Sequence, residues 1–169
     1  MAEKPLRLAA DTNVLVDIED GVEDVLDAVD VLKARLPTAE WLASPSVLDE
    51  LASLLDRGET ERLRQSARKA LLHLRSQSRF RPLLDLPIGQ ELAERIAIEI
   101  RRRGILPDGE VHDALILAET ALLDCSILLT SDEHLRAVDH EEATLLLHRY
   151  DLIAPVIATP REIARKFFR

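Results

Sequence analysis

Aromatic side chains are scarce in this sequence: three Phe, one Tyr and one Trp in 169 residues. The core must therefore be built from Leu, Ile, Val and Ala, and a single-strand reader resting on aromatic stacking platforms is disfavoured. Cysteine is scarcer. A lone Cys125 permits no internal disulfide and fits a reducing cytosol. Its neighbours Leu123 and Ile127 predict a small buried residue rather than a reactive thiol. There is no cluster of Cys and His to hold zinc. No apolar run reaches the length of a membrane span, and the Met-Ala-Glu-Lys-Pro start has no signal-peptide core. The expected compartment is the cytoplasm, with no membrane partner.

What is present is globular in character: 47% hydrophobic and 31% charged residues, enough for one compact domain spanning 1–169. The net charge of −9 argues at first against a nucleic-acid partner, because phosphate binding is largely neutralisation by Lys and Arg. The distribution of that charge matters more than its total. Residues 17–30 hold seven acids and no base, whereas residues 57–81 hold eight Lys or Arg against Glu59 and Glu61. Each run alone reads as a solvated helix face. Within the basic run, Arg64 and Arg68 are the candidate phosphate-tracking residues, and an acidic partner would suit them equally.

Apolar runs of strand length alternate with longer helical patterns, which indicates an α/β fold of three layers with a mainly parallel sheet covered on both faces. Strands are expected at 6–10, 41–43, 81–86, 127–130 and 153–158. Helices are expected over 14–19, 22–36, 45–56, 59–76, from Pro87 to a C-terminal cap at Gly104, and over 111–123, 132–138 and 160–168. Ser44 is placed to cap the helix that opens at Pro45. The 111–123 helix is apolar nearly all round and should be buried. The stretch 139–150 shows no clear pattern.

Among 31 acids the informative ones sit where an acid should not. Asp11 ends the first strand, at the sheet edge where open α/β folds collect functional groups. Glu50 has Val47, Leu51 and Leu54 around it at helical spacing, on the inward edge of an apolar stripe. Asp113 opens the all-apolar helix. Asp132 follows the fourth strand and repeats the strand-then-acid order of Asp11. Asp108, in the Pro107-Asp108-Gly109 turn, is weaker. Each has a structural alternative: Asp11, Asp113 and Asp132 as helix caps or first-turn acids, and Glu50 buried against an Arg.

Four stretches carry a resemblance: Asp11-Thr12-Asn13 after strand one, Pro-Ser-Val-Leu-Asp-Glu-Leu around Glu50, His-Asp-Ala-Leu-Ile-Leu-Ala-Glu-Thr-Ala-Leu around Asp113, and Leu-Leu-Thr-Ser-Asp-Glu-His-Leu around Asp132. Together, in that order, they resemble a PIN domain, and within that family the VapC-like ribonuclease toxins. The likeness covers nearly the whole chain, down to Val156-Ile157-Ala158-Thr159-Pro160. It implies a five-stranded parallel sheet between helices. It implies that Asp11, Glu50, Asp113 and Asp132 are a catalytic, metal-binding acidic site, supported by Asn13, Thr130 and Ser131. It further implies a Mg²⁺- or Mn²⁺-dependent endoribonuclease that hydrolyses RNA with metal-activated water, a separate antitoxin protein and a homodimer. The chain departs from small VapC toxins in being longer, at 59–76 and near 139–150, and in being more acidic.

The chemistry of such a set agrees with a divalent cation. Two carboxylates ~4 Å apart repel by about 4 kcal/mol at an effective dielectric near 20, so without a cation protonation must relieve some of the repulsion. All-oxygen donors select Mg²⁺ or Mn²⁺. His112 and His134 flank the acids in sequence, and neighbouring structural histidines are the expected reading. A haloacid-dehalogenase-like phosphoryl transferase would need a second acid where Asn13 stands and a Lys near the site, whereas the lysines are only Lys4, Lys33, Lys69 and Lys166. The remaining alternative is a PIN-like module that binds RNA or protein without cutting.

Overall fold

Five short strands lie side by side, all parallel, in the order β3-β2-β1-β4-β5: β1 (Arg7–Ala10), β2 (Glu40–Ala43), β3 (Arg81–Pro82), β4 (Ile127–Leu129) and β5 (Val156–Ala158). The structure is a computed structural model that describes residues 4–76 and 79–167. Helices cover both faces, so the central strand β1 is apolar on both sides, with Leu8, Ala9 and Ala10 all buried. The helices are α1 (Thr12–Glu19), α2 (Glu23–Arg35), α3 (Pro45–Arg57), α4 (Glu61–Ser76), α5 (Gln90–Arg102), α6 (Val111–Leu122), α7 (Glu133–Arg136), α8 (His140–His148) and α9 (Pro160–Phe167). Among the described residues no helix is long and apolar enough to cross a membrane.

The core is aliphatic, as the composition required. Its aromatic contribution is Trp41 of β2 against Phe80, edge to face with ring centroids 5.3 Å apart. α6 is buried along most of its length. Gly104 takes a left-handed conformation (φ 69°) after α5, and Ile105 N–H reaches back to Ile100 O at 3.0 Å, the C-terminal cap expected there. Cys125 is buried, and that burial pushes its thiol up to about 12, which makes it inert.

Several elements differ from expectation. β3 is two residues rather than 81–86: it pairs with Leu42 and Ala43, Leu83 N–H still reaches Ala43 O at 3.0 Å, and there its partner β2 ends and turns into α3. α5 begins at Gln90 rather than Pro87, after a turn closed by Gly89 at φ 92°. β5 begins at Val156, beyond Pro155, rather than at 153. α1 starts directly at Thr12, and 139–150 contains a helix, α8, whose cap Asp139 accepts from Glu141 and Glu142 N–H. The final position of the expected 160–168 helix lies outside the described residues.

The segregated charge runs meet inside the molecule. Arg62 of α4 stands 3.3 Å from Asp20, and Ser66 donates to the same carboxylate. His73 Nδ1 lies 2.6 Å from Glu19, and Arg79 is 3.4 Å from Asp30. Part of the basic run is thus a counter-charge for α1 and α2.

Candidate metal centre

β1 delivers Asp11 to the carboxyl edge of the sheet. Its backbone N–H continues the ladder to Leu129 O at 2.9 Å, and its extended backbone (φ −72°, ψ 160°) makes it the N-cap of α1. The side chain is 3% exposed. Oδ1 accepts Thr12 N–H at 2.7 Å and Oδ2 accepts the Thr130 hydroxyl at 2.7 Å. Burial pushes this carboxyl up to about 6; Glu50 and Asp132 push the same way, while the bonds from Thr130 and Thr12 hold it down. The Thr12 hydroxyl turns the other way and donates to Glu50 Oε2 at 2.6 Å, which ties α3 to the start of α1.

β4 ends beside β1. Thr130, fully buried, donates to the Asp11 carboxylate and accepts Asp132 N–H at 3.0 Å, so one hydroxyl ties the Asp11 side chain to the backbone of Asp132. Asp132 Oδ1 caps α7 by accepting His134 N–H at 2.8 Å and Leu135 N–H at 3.1 Å. Ser131 N–H donates to Asn13 Oδ1 at 3.2 Å, a second stitch between the two strand ends. The capping role weighed for Asp11 and Asp132 is therefore real. It occupies one oxygen of Asp132 and leaves the carboxylates beside one another.

Asp113 is in the first turn of α6, behind the cap residue Glu110. Burial, then Asp132, Asp11 and Glu110, push its carboxyl up to about 8. Oδ2 is buried and has no hydrogen-bond partner among the described residues. The cause is chemical: an ionised Asp113 and an ionised Asp132 offer each other only acceptors. Either a proton or a cation has to sit between them.

The model of the PIN domain family matches residues 9–141. This chain belongs to the PIN domain family. Its fold is similar to a chain in the structure of VapBC2 from Rickettsia felis bound to a DNA fragment from their promoter, at 14% identity and TM-score 0.59, covering 91% of this chain and 98% of that one. It is also similar to a chain of VapBC-1 from nontypeable Haemophilus influenzae, at 15% identity and TM-score 0.58, covering 92% and 98%. No curated protein matches the chain. At these identities the two structures speak to the fold alone.

In this PIN domain Asp11 feels the charges of Glu50 and Asp132, and Asp113 those of Asp132 and Asp11. Among the described residues no three carboxylate, imidazole or thiol groups are already gathered closely enough to hold an ion. Asp108 stays in its turn, where its backbone oxygen accepts from Arg101. His112 is exposed, and His134 Nε2 lies 3.3 Å from Glu110 Oε1, at the flank of the acids. Arg64 is turned back on its own helix start, donating to Gly58 O at 2.5 Å and Glu61 Oε2 at 2.9 Å, while Arg68 is exposed. A cleft of about 220 Å³ is lined by Ser131, the residue before Asp132, with Arg136, Thr159 and Arg161 and with Asp17 and Asp24, and Arg161 stands 3.6 Å from Asp24. One buried acid, Glu119, escaped the sequence reading. Its signal was available, because Glu119-Thr120 is a polar pair inside the all-apolar α6.

Proposed function

We propose that this PIN domain is a divalent-metal-dependent endoribonuclease of the VapC toxin kind, hydrolysing RNA phosphodiester bonds and held in check by a separate antitoxin chain. The observation that supports it most is the orphaned, buried Asp113 Oδ2, beside Asp132 and within the field of Asp11. A carboxylate oxygen taken out of water without a donor is costly, and a cation removes that cost. The donor set fits a hard ion, being all oxygen. Asp11, Asp113 and Asp132 would hold Mg²⁺ or Mn²⁺, with Glu50 completing the set or orienting the attacking water. Such an ion lowers the pKa of water and neutralises charge on a phosphodiester.

The chain's own residues prepare that chemistry. Thr130 holds the Asp11 carboxylate and the Asp132 backbone through a single hydroxyl, while the His134 and Leu135 N–H groups fix the Asp132 carboxylate. Thr12 holds Glu50 toward Asp11. Asn13 keeps the Ser131 turn in place, and Ser131 lines the cleft. Arg136 and Arg161 line that cleft and would steady the backbone of an RNA strand passing the acids. The two structural neighbours are VapBC structures, which supports a separate antitoxin here; a homodimer belongs to the same reading.

The deciding experiment is a nuclease assay of wild type beside Asp11→Asn, with Mn²⁺ and with chelator. Activity that needs Mn²⁺ and disappears in the variant is expected. Equal activity in both proteins would place the chemistry elsewhere or in a contaminant. A second reading, a PIN-like module that binds without cutting, is favoured by the lack of three ready-gathered donors among the described residues. Thermal stability separates the two, since an ion that binds only the native state raises the melting temperature. No shift with Mg²⁺ or Mn²⁺ would favour the binding module.

A further inference from the structure

Glu119 lies in the interior of α6 and none of its side chain reaches solvent. A carboxylate in that position must be hydrogen-bonded to be tolerated. It has three donors. Oε2 accepts the Ser46 backbone N–H at 3.0 Å, while Oε1 accepts the Ser46 hydroxyl at 2.8 Å and Gln90 Nε2 at 3.0 Å. Ser46 is in the first turn of α3 and Gln90 opens α5, so one side chain joins three helices.

The α3 end of this arrangement is unusual. Ser44 occupies the N-cap position but makes no cap bond, and its hydroxyl is buried without a hydrogen-bond partner among the described residues. Glu119 caps α3 instead, from another helix. It satisfies one free N–H and sets a negative charge at the positive end of the α3 dipole.

Ser46 is one helical turn before Glu50, about 6 Å along α3 at 1.5 Å per residue. Glu119 shares α6 with Asp113. The bonds from Ser46 to Glu119 therefore fasten the element bearing Glu50 to the element bearing Asp113. Asp113 has no hydrogen bond of its own at Oδ2 to fix that relation. We propose that Glu119 is a positioning residue: it sets the place of the Glu50 carboxylate against Thr12 and the acids across the centre. Its effect on metal binding rests on the functional reading above, while its effect on Glu50 does not.

The test measures Mn²⁺ affinity by calorimetry, with melting temperature alongside, for wild type, Glu119→Ala, Glu119→Asp, Glu119→Gln, Glu50→Gln and the double variant Glu119→Ala/Glu50→Gln. Loss of a residue that orients a ligand weakens metal binding by roughly 10- to 100-fold, and that range is expected for Glu119→Ala and Glu119→Asp. Glu119→Gln keeps the shape and an acceptor for Ser46, so it should bind within about threefold of wild type. Because Glu119 acts through Glu50, the double variant should bind no worse than Glu50→Gln alone. Wild-type affinity in folded Glu119→Ala or Glu119→Asp, or additive losses in the double variant, would overturn the proposal. Should Glu119→Ala fail to fold, the Asp and Gln variants decide. Should wild type bind no Mn²⁺, the metal reading falls by itself. A crystal structure of Glu119→Asp then decides for Glu119: a broken Thr12–Glu50 hydrogen bond supports the positioning role, and an intact one ends it.

Discussion

Asp113 would be ionised in water throughout the physiological range, yet here it holds its proton up to about pH 8. That difference is a statement about stability as well as chemistry. A carboxyl whose folded-state pKa is raised binds more protons folded than unfolded, between about pH 4 and about pH 8. Stability therefore falls as pH rises through that window. Asp11, raised to about 6, adds to the decline in its lower half. The expected outcome is a metal-free melting temperature that drops steadily from pH 5 to pH 8. Asp113→Asn, which cannot ionise, should gain about 1–2 kcal/mol at pH 8 and flatten the upper part of the curve, the modest size reflecting a side chain that is only partly shielded. Saturating Mn²⁺ should flatten the wild-type curve in the same way. Melting in chelator across that pH range checks both, and a variant with the wild-type slope would mean that Asp113 titrates normally.

Among the elements, α3 separates what local sequence can reveal from what it cannot. Ser44-Pro45 looks like a helix start and is one, but the cap bond comes from Glu119, 73 residues away in sequence. Ser44→Ala should therefore change stability by less than about 0.5 kcal/mol, where loss of an ordinary serine cap costs about 1; chemical denaturation measures the difference. The same division runs through the fold. Helices with an apolar stripe and a local stop, such as α5 ending at Gly104, were legible because their signals lie within a few residues. The lengths of β3 and β5 were not, since apolar residues extend beyond the positions that face a partner strand: after β3, where β2 has already turned into α3, and before β5. α8 was missed because its cap, Asp139, is followed by charge before any periodicity develops. In the centre, Asp11 and Asp132 were legible from the order of strand then acid, and Thr130 came with them. Glu119 was not, because its meaning depends on which helix end it meets.

At the scale of the whole molecule, the proposed function requires a chain of net charge −9 to draw a polyanion toward its own carboxylates. The basic run of α4 was the sequence candidate for that task, but Arg62 answers Asp20 and Arg64 is folded back onto Gly58 and Glu61. Arg68, exposed one turn beyond Arg64, is the freer of the two candidates. The cleft lined by Ser131 holds Arg136 and Arg161, of which Arg161 stands 3.6 Å from Asp24, so Arg136 is the candidate there. The two routes differ in salt dependence. Each phosphate neutralised on a single strand contributes roughly 0.7 to the slope of log affinity against log salt. Binding can be followed with RNA and Asp11→Asn, which prevents cleavage, carrying either Arg68→Glu or Arg136→Glu. A strand that runs over α4 predicts a slope shallower by about 0.7 in the Arg68 variant alone. A strand that leaves through the cleft predicts the loss in the Arg136 variant alone, with Arg68→Glu binding as its parent does. Arg64→Glu should instead lower the melting temperature, since it removes the guanidinium from the carbonyl of Gly58, the C-cap of α3, and sets a like charge beside Glu61. The functional reading favours the cleft, because Ser131, one of its lining residues, sits between Thr130 and Asp132 in the chain.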